Sequence, residues 1–149
     1  MNIIRYYKNL KLIISDSLLQ EIALLSLQHY PNEFGGLLIG KYSENFKILN
    51  IYQSMMPECY QNSPIEFVRQ SDNLQSYFNE LFNETGLYYV GEWHTHPNGE
   101  AFYSHTDLQA MTTIAHFEYV QILNPILLIL SITNNKVMDF NFFFLKIIG

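Results

Sequence analysis

Hydrophobic positions along the chain follow a helical period in some segments and a strand-like pattern in others. Three segments with the helical period are predicted helices: Asp16–Tyr30, Ser71–Thr85 and Ser104–Val120. Ser15 or Asp16 can cap the first of them and Pro31 stops it, while Gly86 ends the second. The helices are therefore separate units with clear local boundaries.

Shorter apolar runs, bounded by polar turns, predict the strands. In chain order these are Gly35–Tyr42, Phe46–Gln53, a short Ile65–Arg69, Leu87–Trp93, Pro125–Thr133 and Val137–Ile148. Two segments, Ser54–Pro64 and Pro97–Tyr103, are predicted loops. Since strands and helices interleave, with hairpins at both ends, we expect one α/β or α+β domain over residues 1–149, built as a mixed sheet with packed helices.

Composition and charge exclude several classes of function. The 149 residues are 48% hydrophobic, which rules out disorder, and the net charge is −6 with only eight Lys and Arg, which argues against a nucleic-acid partner. The longest apolar runs, such as Ile126–Leu130, are far below the roughly 20 residues of a membrane span. A single cysteine, Cys59, excludes an internal disulfide. We expect a cytoplasmic protein without a membrane partner, a monomer or a small homo-oligomer.

Candidate chemistry begins with two histidines at the end of a predicted strand, in Gly-Glu-Trp-His-Thr-His-Pro. His94 and His96 stand two residues apart, so their side chains project from the same strand face, roughly 6–7 Å apart. Their imidazoles can converge on one metal ion, and Pro97 ends the strand. The alternative is that each is an ordinary structural or surface histidine.

Three further residues extend this pair. Asp107, in the first turn of the third predicted helix, would complete a set of three ligands that leaves a fourth position open for water, which is typical of catalytic zinc. Glu33, just before the paired glycines of a predicted strand, is the candidate proton acceptor, and the Ser104 hydroxyl is a candidate donor to an oxyanion. Each has an ordinary alternative: a helix cap for Ser104 and Asp107, and a solvated carboxylate for Glu33.

Combined, these residues resemble the signature of the JAMM (MPN+) metalloproteases. That signature is an upstream Glu, then His-x-His-Pro, seven residues, and Ser-x-x-Asp; here seven residues separate His96 from Ser104. The resemblance extends over nearly the whole chain and implies a cytidine-deaminase-like architecture. It also implies one Zn²⁺ per chain held by His94, His96 and Asp107. Glu33 would then hold and deprotonate the attacking water, and Ser104 would steady the tetrahedral intermediate.

The resemblance implies an activity as well: hydrolysis of an isopeptide or peptide bond at the C-terminus of a ubiquitin-like protein. The short chain and its histidine motif look closest to prokaryotic stand-alone members, including those of ubiquitin-like pathways in antiphage operons. Two alternatives stay open. One is a non-catalytic MPN scaffold with an apolar interface, and the other is a peptidase of the phage-tail or cell-wall type.

Other residues near the motif are assigned supporting roles. Glu92 shares the strand face of both histidines if the strand is regular, so it is either a partner for an imidazole or a structural carboxylate. A substrate tail would lie extended and pair with a strand edge. Its candidate apolar contacts, for each of which core packing is the alternative, are Met55, Met56, Phe102 and Tyr103.

Overall fold

The computed structural model describes residues 1–43, 45–56, 60–63, 66–69, 74–102, 104 and 125–144, with backbone alone at 60–63, 66–69 and 74–75. These residues form nine strands and two helices. They are β1 (Asn2–Tyr7), β2 (Leu10–Ser15), α1 (Asp16–His29), β3 (Gly35–Ser43), β4 (Ile48–Met55), β5 (Tyr60–Ser63), β6 (Glu66–Arg69), α2 (Leu74–Thr85), β7 (Tyr88–Pro97), β8 (Ile126–Thr133) and β9 (Lys136–Phe144).

Seven of the strands form one mixed sheet in the order β1-β2-β4-β3-β7-β8-β9, and β5 pairs with β6 in a separate hairpin. Pairing is parallel between β2 and β4 and between β7 and β8, and antiparallel elsewhere. Side chains of the two edge strands, β1 and β9, contact each other. The Tyr7 ring stacks on Phe144 at 4.8 Å between ring centroids, and the Arg5 guanidinium lies 5.6 Å from the centre of the Phe140 ring. The expected mixed α+β sheet is confirmed.

The two described helices pack against different strands of the sheet: α1 contacts β2, β4, β8 and β9, and α2 contacts β7. α1 is capped by Ser15, whose hydroxyl accepts a hydrogen bond from the Leu18 amide at 3.1 Å, and it ends at His29. The His29 ring stacks on Phe34 at 3.5 Å, and burial lowers the pKa of His29 below its ordinary value. α2 contacts β7 through Phe78, whose ring packs against Tyr89. Neither of these helices is long and apolar enough to cross a membrane.

The structure corrects several of the predicted elements. The first fifteen residues contain the hairpin β1–β2, which was not predicted because charged residues interrupt its apolar runs. The predicted loop Ser54–Pro64 contains the end of β4 and the strand β5, so Met55 is a strand residue. The strand predicted to end at Trp93 extends to Pro97 and includes both histidines.

Two expectations stay predictions. The third predicted helix, Ser104–Val120, lies outside the described residues apart from Ser104 itself. The cytidine-deaminase-like architecture is likewise still a prediction.

A close approach between strands places Gly36 under a strict size limit. Trp93 is fully buried, and its indole N–H donates to the Ser54 hydroxyl across the sheet at 2.8 Å. A Cβ atom added at Gly36 would lie 2.5 Å from the indole nitrogen and 2.9 Å from the Met55 carbonyl oxygen. Only glycine leaves room for the indole at this point.

We therefore expect Gly36→Ala to destabilise the protein by about 1–3 kcal/mol, because a buried indole and a backbone carbonyl would both have to shift. Urea unfolding measures the change. The matched control is Gly99→Ala, whose added Cβ would meet nothing closer than the His96 Cβ at 3.5 Å. Equal losses of stability in the two variants would contradict this explanation.

Candidate active site

The pairing of β3 with β7 aligns the predicted site residues. Gly35 pairs with His94 in the antiparallel register. One step further, Phe34 and Thr95 face each other through two hydrogen bonds of 2.8 Å: the Thr95 amide donates to the Phe34 carbonyl, and the Phe34 amide donates to the Thr95 hydroxyl. Glu33 precedes Phe34 in the chain, lies before the start of β3 and is half-buried. Since opposed residues of an antiparallel pair share a sheet face, the Gly35 position belongs to the face of His94.

Alternation along β7 separates the two histidines from their neighbours Trp93 and Thr95. Trp93 and Thr95 are fully buried, and Trp93 contacts Phe34 edge to face. His94 points to the opposite face and is 4% exposed, whereas His96, nearer the strand end, is half-buried. The local sequence thus places two imidazoles on one face, one in the protein interior and one at its border.

Glu92 is a buried carboxylate on the same face as the histidines. It is 1% exposed, and its Oε1 lies 3.2 Å from the Nε2 atom of His94. Its other oxygen accepts a hydrogen bond from the Tyr89 hydroxyl at 3.3 Å. The register of β7 against β3 shifts where Ile39 pairs with Tyr89, and this irregularity lies between Tyr89 and Glu92. Glu92 therefore contacts the His94 ring directly within the protein interior.

The His96 ring is oriented by the loop that follows it. Its Nδ1 atom lies 3.0 Å from the Glu100 carbonyl oxygen. Because a carbonyl can only accept, Nδ1 is the donor in this bond, and Nε2 carries the lone pair of the neutral ring. The Gly99 amide also donates back to the His96 carbonyl at 3.2 Å.

This loop is fastened to neighbouring elements at several points, so His96 rests on a fixed support. Each anchor joins a loop atom to a residue distant in the sequence. At Asn98, the backbone amide donates to the Ile132 carbonyl at 2.6 Å, and the side-chain oxygen accepts from the Tyr30 hydroxyl at 2.9 Å. Further along the loop, the Ser131 hydroxyl donates to the Gly99 carbonyl at 2.5 Å, and the Asn141 side-chain amide donates to the Ala101 carbonyl at 2.8 Å.

The other predicted site residues lie in different settings. Ser104 is exposed, and Asp107 and Tyr103 lie outside the described residues. Met55 and Met56 are half-buried and pack against the hydrophobic core, in agreement with the packing alternative for these two side chains.

Phe102 is 56% exposed, and its ring contacts Phe143 edge to face at 5.1 Å. Sequence reasoning missed Tyr89 and the Glu100 carbonyl. The sequence gives no local signal for either group. The position of Tyr89 depends on an irregularity in the strand, and the Glu100 carbonyl is a backbone group that every residue has.

The donor chemistry of the site fits zinc. Within the described part of the chain, no three His, Cys, Asp or Glu side chains cluster closely enough to hold a metal ion. Two imidazoles on one strand face nevertheless provide two nitrogen donors of the type that zinc prefers, and the predicted third ligand, Asp107, belongs to the segment that is not described.

Comparison with known proteins defines the class of this chain. It belongs to the family described as prokaryotic homologs of the JAB domain, whose profile matches residues 15–144. A curated relative from Enterobacter hormaechei subsp. hoffmannii (strain UCI 50), named CD-NTase/cGAS isopeptidase, is 36% identical over 121 residues, which are 80% of this chain and 67% of the relative. The expected JAMM/MPN-type relationship is confirmed.

A solved structure supports the fold independently. The solution structure of protein DSY2949 from Desulfitobacterium hafniense superimposes with a TM-score of 0.58 over 91% of this chain and 90% of that protein, at 18% sequence identity. At this identity the similarity is one of fold.

We expect Ser131→Ala to loosen the loop that orients His96, because the Gly99 carbonyl would lose its buried hydroxyl donor. The predicted cost is about 1 kcal/mol of unfolding free energy, together with faster amide hydrogen exchange at residues 98–102. Ser17→Ala, at an exposed serine of α1, is the control. Unchanged exchange in the loop of the Ser131 variant would contradict this anchoring role.

Proposed function

We propose that this chain is a zinc-dependent isopeptidase that hydrolyses the bond between the C-terminal carbonyl of a ubiquitin-like protein and an amine of its partner. The observation that supports the proposal is the register of β3 against β7, in which Gly35, two residues after Glu33, pairs with His94. We infer from this register that Glu33 reaches the face of the two histidines, and a carboxylate with two imidazoles is the set of groups that metal-assisted hydrolysis requires.

The relative from Enterobacter supports the substrate class. It is named for isopeptidase activity and for a CD-NTase/cGAS target. By this similarity, we infer that the substrate here is a conjugate between a ubiquitin-like protein and an enzyme of the CD-NTase type, within a bacterial antiphage pathway. Removal of the conjugate, or processing of a precursor, would use the same bond chemistry.

His94, His96 and Asp107 would hold the zinc ion. When bound in such a set, zinc lowers the pKa of a coordinated water to about 7 and polarises the substrate carbonyl. The chain contributes the neutral nitrogen donors, and the hydrogen bond from His96 to the Glu100 carbonyl supports this by leaving the lone pair on Nε2.

Glu33 would act as the general base and then as the general acid. Its carboxylate accepts a proton from the attacking water as the water oxygen bonds to the carbonyl carbon, and it returns that proton to the amine as the carbon–nitrogen bond breaks. The Ser104 hydroxyl would donate a hydrogen bond to the oxyanion that forms on the substrate carbonyl. No covalent bond between enzyme and substrate is needed, so Cys59 has no role in this scheme.

The C-terminal tail of a ubiquitin-like protein must lie extended to present its last carbonyl. Such a tail is suited to pairing with a strand edge beside the site, with apolar side chains as additional contacts. The exposed ring of Phe102, on the loop that follows His96, is the described residue best suited to this contact.

Metal content is the first test of the proposal. We expect about one zinc ion per chain in freshly purified protein, and loss of zinc in the double variant His94→Ala/His96→Ala with an unchanged circular dichroism spectrum. Zinc is measured by atomic emission. Protein that is folded but contains no zinc would favour the scaffold alternative over the enzyme.

Glu33→Gln tests the proton-transfer role, because glutamine keeps the shape of the side chain but cannot accept the proton. We expect cleavage of a ubiquitin-like fusion protein to slow by about 10²–10⁴-fold, with zinc content unchanged. Glu21→Gln, at an exposed carboxylate of α1, should cleave at the wild-type rate. Equal rates for wild type and Glu33→Gln would remove Glu33 from the mechanism.

Inhibitors separate metal from thiol catalysis. A strong zinc chelator should abolish cleavage and added zinc should restore it, whereas a thiol-blocking reagent should leave the rate unchanged. Inhibition by the thiol reagent alone would point to Cys59 and contradict the proposed chemistry.

A further inference from the structure

The pair Tyr89 and Glu92 is a buried polar arrangement that the proposed catalytic steps do not use. Glu92 is 1% exposed and Tyr89 is fully buried, and the two are joined by a hydrogen bond of 3.3 Å. Removing a carboxylate from water is costly unless hydrogen bonds compensate for the lost hydration. Apolar residues of similar shape would usually make the interior equally stable or more stable. The arrangement therefore calls for an explanation other than stability.

The partners of Glu92 indicate what it does. The Tyr89 hydroxyl donates to Oε2, and Oε1 lies 3.2 Å from the Nε2 atom of His94. The Glu92 carboxylate therefore lies against the Nε2 side of the imidazole. Nδ1 is the ring nitrogen on the side away from this contact.

His96 has the opposite arrangement. The backbone carbonyl of Glu100 accepts from Nδ1, so the lone pair of that ring is on Nε2. The two histidines thus use different ring nitrogens for their supporting hydrogen bonds, one to a buried side chain and one to a loop carbonyl.

We propose that Glu92, held in place by Tyr89, is a positioning residue that fixes the His94 ring and makes Nδ1 its metal-binding nitrogen, while His96 binds through Nε2. This inference rests on the proposed zinc enzyme. Hydrogen bonds of this kind to a ligand histidine set its tautomer and ring orientation, and their loss lowers metal affinity about 10–100-fold.

The first test reads the tautomer directly and needs no variant of Glu92. Long-range ¹H–¹⁵N correlation spectra of the zinc-loaded wild-type protein report which ring nitrogen carries a proton, with the His94 signals identified by their absence in His94→Gln. We expect a protonated Nε2 and a metal-bound Nδ1 for His94, and the reverse for His96. A protonated Nδ1 on His94 would overturn the inference.

The second test compares zinc affinity with fold stability. In the double variant Tyr89→Phe/Glu92→Leu, apolar side chains replace both polar partners, so neither is left unsatisfied. We expect its zinc affinity, measured by competition with a chromophoric chelator, to be about 10–100-fold weaker than that of the wild type, with no loss of thermal unfolding temperature in the metal-free protein.

Conservative and control variants complete this comparison. Glu92→Gln keeps an oxygen acceptor for His94, so its zinc affinity should lie between the wild type and the double variant. Glu84→Gln, at an exposed carboxylate of α2, should match the wild type.

The outcomes separate this inference from the proposed function. If the wild type binds zinc tightly and the double variant binds it equally well, the positioning role is wrong while the zinc enzyme stands. If the wild type itself has no zinc affinity, both fail.

Discussion

The antiparallel pairing of β3 with β7 is the constraint on which the candidate site depends. Strand side chains alternate with a period of two, so a slip of one residue would turn the β3 position opposite His94 to the other sheet face. The register is fixed by Gly35 opposite His94 and by the two hydrogen bonds between Phe34 and Thr95. In one of these the Thr95 hydroxyl oxygen accepts from the Phe34 amide, so the Thr95 side chain extends the pairing beyond the last backbone pair of the ladder.

The sheet tolerates this polar site because the rest of its interior is apolar and continuous. The core extends over both parallel and antiparallel strands, and buried leucine and isoleucine side chains from β2, β3, β4 and β8 provide most of it. Among the residues described as buried, the polar ones on the sheet strands are Glu92, His94, Thr95 and Ser131. Each of them makes a hydrogen bond near the site end of the sheet, so the cost of burying polar groups is confined to one region.

Features that depend on neighbouring residues in the chain could be predicted from the sequence, whereas features that depend on distant residues could not. The histidine pair and Glu92 share a face because of alternation within one strand, and α1 is marked by its own cap and by Pro31, so these features were predictable. The hairpin β1–β2 was not, because β2 is held in the sheet by parallel pairing with β4, more than thirty residues away. Tyr89 was missed for a related reason: its contact with Glu92 spans a register shift, which alternation alone does not reveal.

The two histidines are supported in different ways, and this difference divides the site into a rigid part and a loop-dependent part. His94 is held by a buried carboxylate within the sheet, so its ring can move only if the core moves. His96 is held by the Glu100 carbonyl, two residues before the exposed ring of Phe102. A substrate tail that contacted Phe102 would press on the same short loop that orients His96. Substrate binding would then act on one imidazole through the backbone while the other kept its position. The hydrogen bonds that anchor the loop, including the one between Ser131 and Gly99, would limit this movement.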